Sequence, residues 1–103
     1  MESLGKYYKE ENWHHVLNNI VPVEFHKNKR FYNEIIQDRL FSDDLYMVLA
    51  TFSEFMFNNN IDKYKSWLKT KQKMLDGYTP MEIIHKPKGP ETLKEYLLRY
   101  PKI

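Results

Sequence analysis

Between Ser42 and Asn58 the chain reads Asp43-Asp44-Leu45-Tyr46-Met47-Val48-Leu49-Ala50-Thr51-Phe52-Ser53-Glu54-Phe55-Met56-Phe57, which is apolar on nearly every side once wound into a helix. A helix without a polar face belongs at the centre of a bundle or in an oligomer interface. Ser42 stands where an N-cap is expected, and Asp43 and Asp44 fall in the first turn, where the helix dipole favours carboxylates. Ser53 and Glu54 interrupt the run, which is also too short to cross a bilayer. The other elements must therefore surround it, which predicts a compact all-α bundle of about five to six helices. The same surplus of apolar surface predicts a homodimer or a tight hetero-complex, since a chain of 103 residues has little else to cover it.

Those other elements are readable from periodicity. Trp13, Val16, Leu17 and Ile20 repeat at i, i+3, i+4 and i+7, giving a first helix over about 9–19. Pro22 disfavours helix at the residue before it, so Val21-Pro22-Val23-Glu24-Phe25 is expected to be an extended connection. A second helix over 28–40 carries Tyr32, Ile36 and Leu40 on one stripe, with Phe31 and Ile35 beside it. Asn58-Asn59-Asn60 ends the apolar helix, and Ile61, Tyr64 and Leu68 mark another over 61–70.

Composition narrows the functional classes. Hydrophobic residues make up 42% of the chain and aromatic residues 16%, enough for a packed globule. The absence of cysteine removes disulfides, cysteine-based zinc sites and cysteine nucleophiles, and fits a reducing cytoplasm. A formal charge of +2 is too small for the concentrated basic footprint of a nucleic-acid binder, and no secretory leader opens the chain. His14 and His15 are adjacent and point about 100° apart on a helix, so they cannot share a metal. His26 lies beyond Pro22 with no ligand spacing around it. Asp43 and Asp44 read as dipole partners, not as paired acid and base. No enzyme, cofactor or metal is implied.

The densest punctuation lies between Trp67 and Leu98. Asp76-Gly77 supplies a turn. Thr79-Pro80-Met81-Glu82 places a hydroxyl at an N-cap, Pro at the first helical position and a carboxylate at the third, the pattern of a capping box. Pro87-Lys88-Gly89-Pro90 stops that short helix and starts another, whose Leu93, Tyr96, Leu97 and Tyr100 share one face before Pro101. Trp67 reads as a core residue or as a partner hot spot, with the core favoured beside Ile61, Tyr64 and Leu68.

The Trp67-Leu68-x-Thr70 start, the Leu75-x-Gly77-x-Thr79-Pro80-Met81-Glu82 core and Gly89 ahead of a Leu-rich final helix resemble the toxin-binding domain of the Xre/MbcA/ParS antitoxin family. Arg39-Leu40 and Ser42-Asp43-Asp44 are similar to the segment leading into it. The chain differs in having Lys71-Gln72 where a Pro-Asn turn is usual and Asp76 for one of two glycines. The resemblance divides the chain into an N-terminal helical segment, 1–37, and a toxin-binding part, 38–103, packed as one unit. It implies an antitoxin of a bacterial toxin–antitoxin system that occludes a cognate toxin, an NAD-consuming protein of the RES type, and does no chemistry itself. The implied partner-binding face is Met81, Ile84, His85, Lys86 and Lys88 on the short helix, with Arg99, Tyr100, Lys102 and Ile103 at the end of the last one. Met81, Ile84 and His85 share a helix face, and Ile83 turns inward.

Alternatives are a DNA-binding regulator and a stand-alone helical adaptor. Residues 1–37 contain no helix-turn-helix signature, and His26-Lys27-Asn28-Lys29-Arg30 reads as a solvated loop at a helix start. A nucleic-acid partner is accordingly not expected.

Overall fold

The computed structural model describes residues 8–99. Among them there is helix but no strand, and the bundle has six helical rods. The first is α1 (Glu10–His15), which passes through a π-helical turn (Val16–Ile20) into α2 (Val21–Glu24) and then a 3-10 turn (Phe25–Asn28). Next comes α3 (Lys29–Ile35), extended by a 3-10 turn (Ile36–Asp38). The central rod is α4 (Asp43–Thr51) followed by α5 (Ser53–Phe57), and then come α6 (Ile61–Leu68), α7 (Pro80–Ile83) and α8 (Gly89–Arg99). No described helix is long and apolar enough to cross a membrane.

The central rod is as buried as its sequence requires. Leu45, Tyr46, Val48, Leu49, Ala50, Phe52 and Phe57 are all in the core. They meet Trp13 and Val21 from the first rod, Phe31 and Ile35 of α3, Tyr64 and Leu68 of α6, and Leu93 and Leu97 of α8 in one contiguous cluster. That cluster draws on both sides of residue 38, so the N-terminal segment and the remainder share a single core. The chain therefore largely covers its own central rod, and of that rod's large apolar residues Phe55, at 73%, is the exposed one. Among the described residues the exposed large apolar side chains are Val23, Phe55 and Met74.

Two local expectations are corrected. Pro22 does not produce an extended connection: Val21, at φ −57° and ψ −46°, is helical, and Pro22 sits in the first turn of α2. A proline inside a helix lacks a donor and crowds the preceding turn. Here the ladder widens just ahead of it, with the Val21 N–H donating to the Val16 carbonyl. The Asn19 side-chain amide donates to the His15 carbonyl at 3.0 Å. A π turn of this kind is a recognised way to pass a local mismatch without breaking the rod. Ser42 is the N-cap residue of α4 but makes no side-chain cap bond; its hydroxyl turns to Asp44 instead.

The chain reversals are chemically specific. Asn58 and Asn59 both take φ +53°, the left-handed region that Asn tolerates better than most residues. Asn60 then caps α6, its side chain accepting from the N–H groups of Asp62 at 2.8 Å and Lys63 at 3.3 Å. Inside the central rod, buried Thr51 donates to the Met47 carbonyl at 2.7 Å and Ser53 bonds Asn59, so neither hydroxyl is orphaned.

Candidate functional site

The segment that carries the resemblance folds into a hook made of the loop after α6, the short α7 and the start of α8. Its first turn is closed by the Gln72 N–H on the Tyr78 carbonyl at 3.0 Å and the Gly77 N–H on the Gln72 carbonyl at 3.0 Å. Asp76 and Gly77 adopt φ +58° and +83° to make it. The capping box forms in both directions: the Glu82 N–H donates to Thr79 Oγ1 at 3.1 Å, and the Thr79 N–H donates to Glu82 Oε1 at 2.9 Å. Those bonds, the backbone one foremost, hold the Glu82 carboxyl below its ordinary value. At the other end, Gly89 lies directly against the α7 backbone. A Cβ placed there would stand 1.7 Å from the Ile83 carbonyl oxygen. That is why glycine is needed: it lets α8 start in contact with the end of α7. Lys88, immediately before it, takes φ +58° to turn the chain.

The hook brings together only part of the expected face. Ile83 is fully buried, as its position predicts. Met81 and Ile84 are half-buried and pack against the core, so they close the bundle and expose only an edge. His85, Lys86 and Lys88 are exposed. The Lys86 ammonium lies 4.8 Å from the centre of the Tyr78 ring, a cation–π contact that holds it over the hook. Arg99 is exposed at the far end of α8 and pairs with Glu95 at 3.1 Å. Tyr100, Lys102 and Ile103 lie outside the described residues. Trp67 belongs to the core side of its two readings. Its ring packs against Phe57, Tyr64 and Tyr96, and its Nε1–H donates to the Tyr96 hydroxyl at 3.3 Å.

Beside the hook lies a trough of about 560 Å³ between α3 and α6. Ile35, Leu40, Ile61, Leu68 and Met81 form its floor and Glu34, Gln37, Lys65 and Lys69 its banks. A second hollow of about 390 Å³, lined by Lys27, Asn28, Arg30 and Phe31 among others, shares Glu34 and Ile61 with the first.

One wall of this trough is held by a polar hub that sequence reasoning missed. The Tyr64 hydroxyl donates to Asp38 Oδ2 at 2.7 Å, the Tyr46 hydroxyl donates to Asp38 Oδ1, and the Leu40 N–H reaches Oδ1 at 3.1 Å. The Tyr46 oxygen in turn accepts from the N–H groups of Leu40 at 2.7 Å and Phe41 at 3.2 Å. Burial, and then the bond to Asp38, push the Tyr46 phenol up to about 12 and raise Tyr64 as well. A second such lock joins the first rod to α4 and α8. Trp13 Nε1–H donates to Asp44 Oδ2 at 2.8 Å, Lys94 pairs with the same oxygen at 3.5 Å, and the Lys94 ammonium lies 5.3 Å from the Trp13 ring. Burial alone would raise the Asp44 carboxyl, but the bonds from Ser42 and Trp13 and the Lys94 charge hold it below its ordinary value. Asp44 is thus more than the dipole partner it was expected to be.

The histidines and the basic run lie at the surface. His14 pairs with Glu10 at 3.2 Å and His15 shares a bond with Asn19 at 3.1 Å, while Lys27 pairs with Glu24 at 3.1 Å. No group of His, Asp or Glu among the described residues is arranged to hold a metal ion. No protein-family model, curated protein or solved structure matches the chain.

Proposed function

We propose that the chain is a protein-interaction module of the antitoxin type, which binds a cognate toxin and occludes it. The observation that supports this reading is the construction of the hook. A reciprocal capping box at one end and a backbone contact that only glycine permits at the other fix a short helix on a rigid core. His85, Lys86 and Lys88 stand exposed on its outer side and the edges of Met81 and Ile84 lie beside them. A surface already ordered before association loses little conformational entropy when a partner docks. Cationic side chains around such a surface speed encounter with an acidic or phosphate-binding pocket mouth. By the resemblance, the partner is a toxin of the RES type that consumes NAD.

The test is a double charge reversal, Lys86→Glu with Arg99→Glu, in cells that express a RES-type toxin together with this chain. Lys86 is exposed and lies over the Tyr78 ring, and Arg99 is exposed and pairs with half-buried Glu95; the reversal turns that i, i+4 attraction into a like-charge pair, a loss of about 0.4–1 kcal/mol. Folding should therefore be retained and protection lost. Unchanged protection would rule out this face.

A further inference from the structure

The first turn of the hook contains a reactive pair that its fold keeps apart. Asp76 is the one aspartate of the chain followed by glycine, and both residues are exposed. Among the described residues no hydrogen bond or ion pair engages the Asp76 carboxyl. A carboxyl beside an amide nitrogen whose own residue has no side chain can close a five-membered ring. We propose that Asp76–Gly77 is a site of spontaneous aspartate isomerisation, shielded while the hook is closed and reactive once it opens, so that the modification makes an opening permanent. This goes beyond the antitoxin reading and stands whatever the partner is.

Ring closure needs the Gly77 nitrogen on the same side of the Cα–C bond as the Asp76 Cβ. Asp76 sits at φ +58° and ψ +34°, which leaves that nitrogen about 150° away from eclipsing Cβ. The Gly77 N–H is also held on the Gln72 carbonyl at 3.0 Å, with the Tyr78 N–H on the Leu75 carbonyl at 3.1 Å beside it. Leu75 before the pair and Pro80 after it are buried, and the Thr79–Glu82 capping box pins the far end, so the turn rotates only if the hook opens. In the opened turn the chemistry needs nothing but water. The Gly77 nitrogen bonds to Asp76 Cγ, and its proton and the carboxyl hydroxyl leave as water. A water molecule then splits the ring. Attack at Cγ restores aspartate, whereas attack at the main-chain carbonyl leaves Gly77 joined through Cγ, with a free α-carboxylate. The second product has the same mass but adds the Cβ methylene to the main-chain path. The bonds from Gly77 to Gln72 and from Gln72 to Tyr78 are spaced for an α-linked residue, and the longer path takes them out of register.

The test ages the full chain at neutral pH, folded in buffer and unfolded in guanidinium chloride, and follows the tryptic peptide 74–88. Isomerisation splits that peptide into two chromatographic forms of equal mass, one of which resists Asp-N protease at position 76. The unfolded chain should accumulate the resistant form, and the folded chain should do so at least about tenfold more slowly, as for a reaction confined to a locally opened state. Thr79→Ala, which removes the cap, should speed the folded chain's reaction about fivefold. Glu82→Ala, which removes only the return bond, replaces it if circular dichroism shows that Thr79→Ala does not fold. Asp76→Glu, whose longer side chain cannot form the five-membered ring, should abolish the split. In the isomer, separated by ion exchange, the Gln72 and Gly77 amides should exchange with solvent about fivefold faster than in the fresh chain, the effect of losing one backbone hydrogen bond. Absence of the resistant form in the unfolded chain would overturn the site. Equal rates in the folded and unfolded chains, or a folded rate indifferent to the cap variant, would overturn the gating by the hook. Unchanged amide exchange in the isomer would overturn its permanence.

Discussion

Replacing Asp38 with Ala tests whether the polar hub or the apolar core alone fixes the α3–α4–α6 junction. In the folded chain Tyr46 and Tyr64 are each only 2% exposed, and Asp38 accepts from both hydroxyls. In the Ala variant, the Tyr64 hydroxyl loses its partner inside the core. Leaving a buried donor unpaired costs about 1–3 kcal/mol. Tyr46 fares better, because its oxygen still accepts from the Leu40 and Phe41 N–H groups, but it too loses a charge-assisted bond. Together these give a loss of about 2–4 kcal/mol, readable as a shift in the urea midpoint at neutral pH followed by circular dichroism. Tyr64→Phe alone should cost only about 1 kcal/mol, since Asp38 borders water and is resolvated when the hydroxyl goes. Combining the two removes the orphaned hydroxyl, so the double variant should be more stable than Asp38→Ala by itself. An Asp38→Ala loss under about 0.5 kcal/mol, or strictly additive effects in the double variant, would refute the hub as described.

Three further outcomes follow from the same geometry. Gly89→Ala should destabilise the fold by about 2–3 kcal/mol, because its Cβ would fall 1.7 Å from the Ile83 oxygen and force α7 and α8 apart; a melt close to the parent's would contradict that contact. Trp67→Ala should lower the isolated chain's stability by about 3 kcal/mol, as expected for a ring packed on Phe57, Tyr64 and Tyr96, whereas an unchanged denaturant midpoint would return Trp67 to the role of binding anchor. In alkali, the folded state holds its Tyr46 and Tyr64 protons more tightly than the unfolded chain does, with Tyr46 raised from 10.0 to about 12. Their contribution is therefore complete below pH 10 and lost as pH rises towards 12, so tyrosinate absorbance should appear together with loss of helix, and Tyr46→Phe should weaken that coupling.

What the sequence makes legible is what is local. The capping box at Thr79 and Glu82, the Asn58–Asn60 break and the inward turn of Ile83 each depend on residues within a turn of one another, and the unbroken apolar run after Ser42 locates the central helix. Pro22 was misleading because a proline's effect depends on the register it meets. A π turn over Val16–Ile20 absorbs it, and the sequence carries no mark of that turn beyond Asn19. The Asp38 hub was invisible for a different reason. Its partners lie 8 and 26 residues away, and nothing near Asp38 distinguishes it from a surface carboxylate until the helices are assembled. The same holds for Asp44, whose Trp13 bond spans 31 residues. The trough is likewise a product of packing: Leu40 and Ile61 read as stripe residues of two separate helices and Met81 as part of the partner face, and they come to line one hollow only in three dimensions.

The most direct test of the antitoxin reading is purification of the tagged full-length chain from its native host, with its companion assayed for NAD consumption. The account predicts one protein held in fixed stoichiometry through gel filtration. Once freed of the chain, that protein should consume NAD, and re-addition of the purified chain should stop it. A chain that elutes alone, or a companion whose treatment of NAD is the same with and without the chain, would contradict the account.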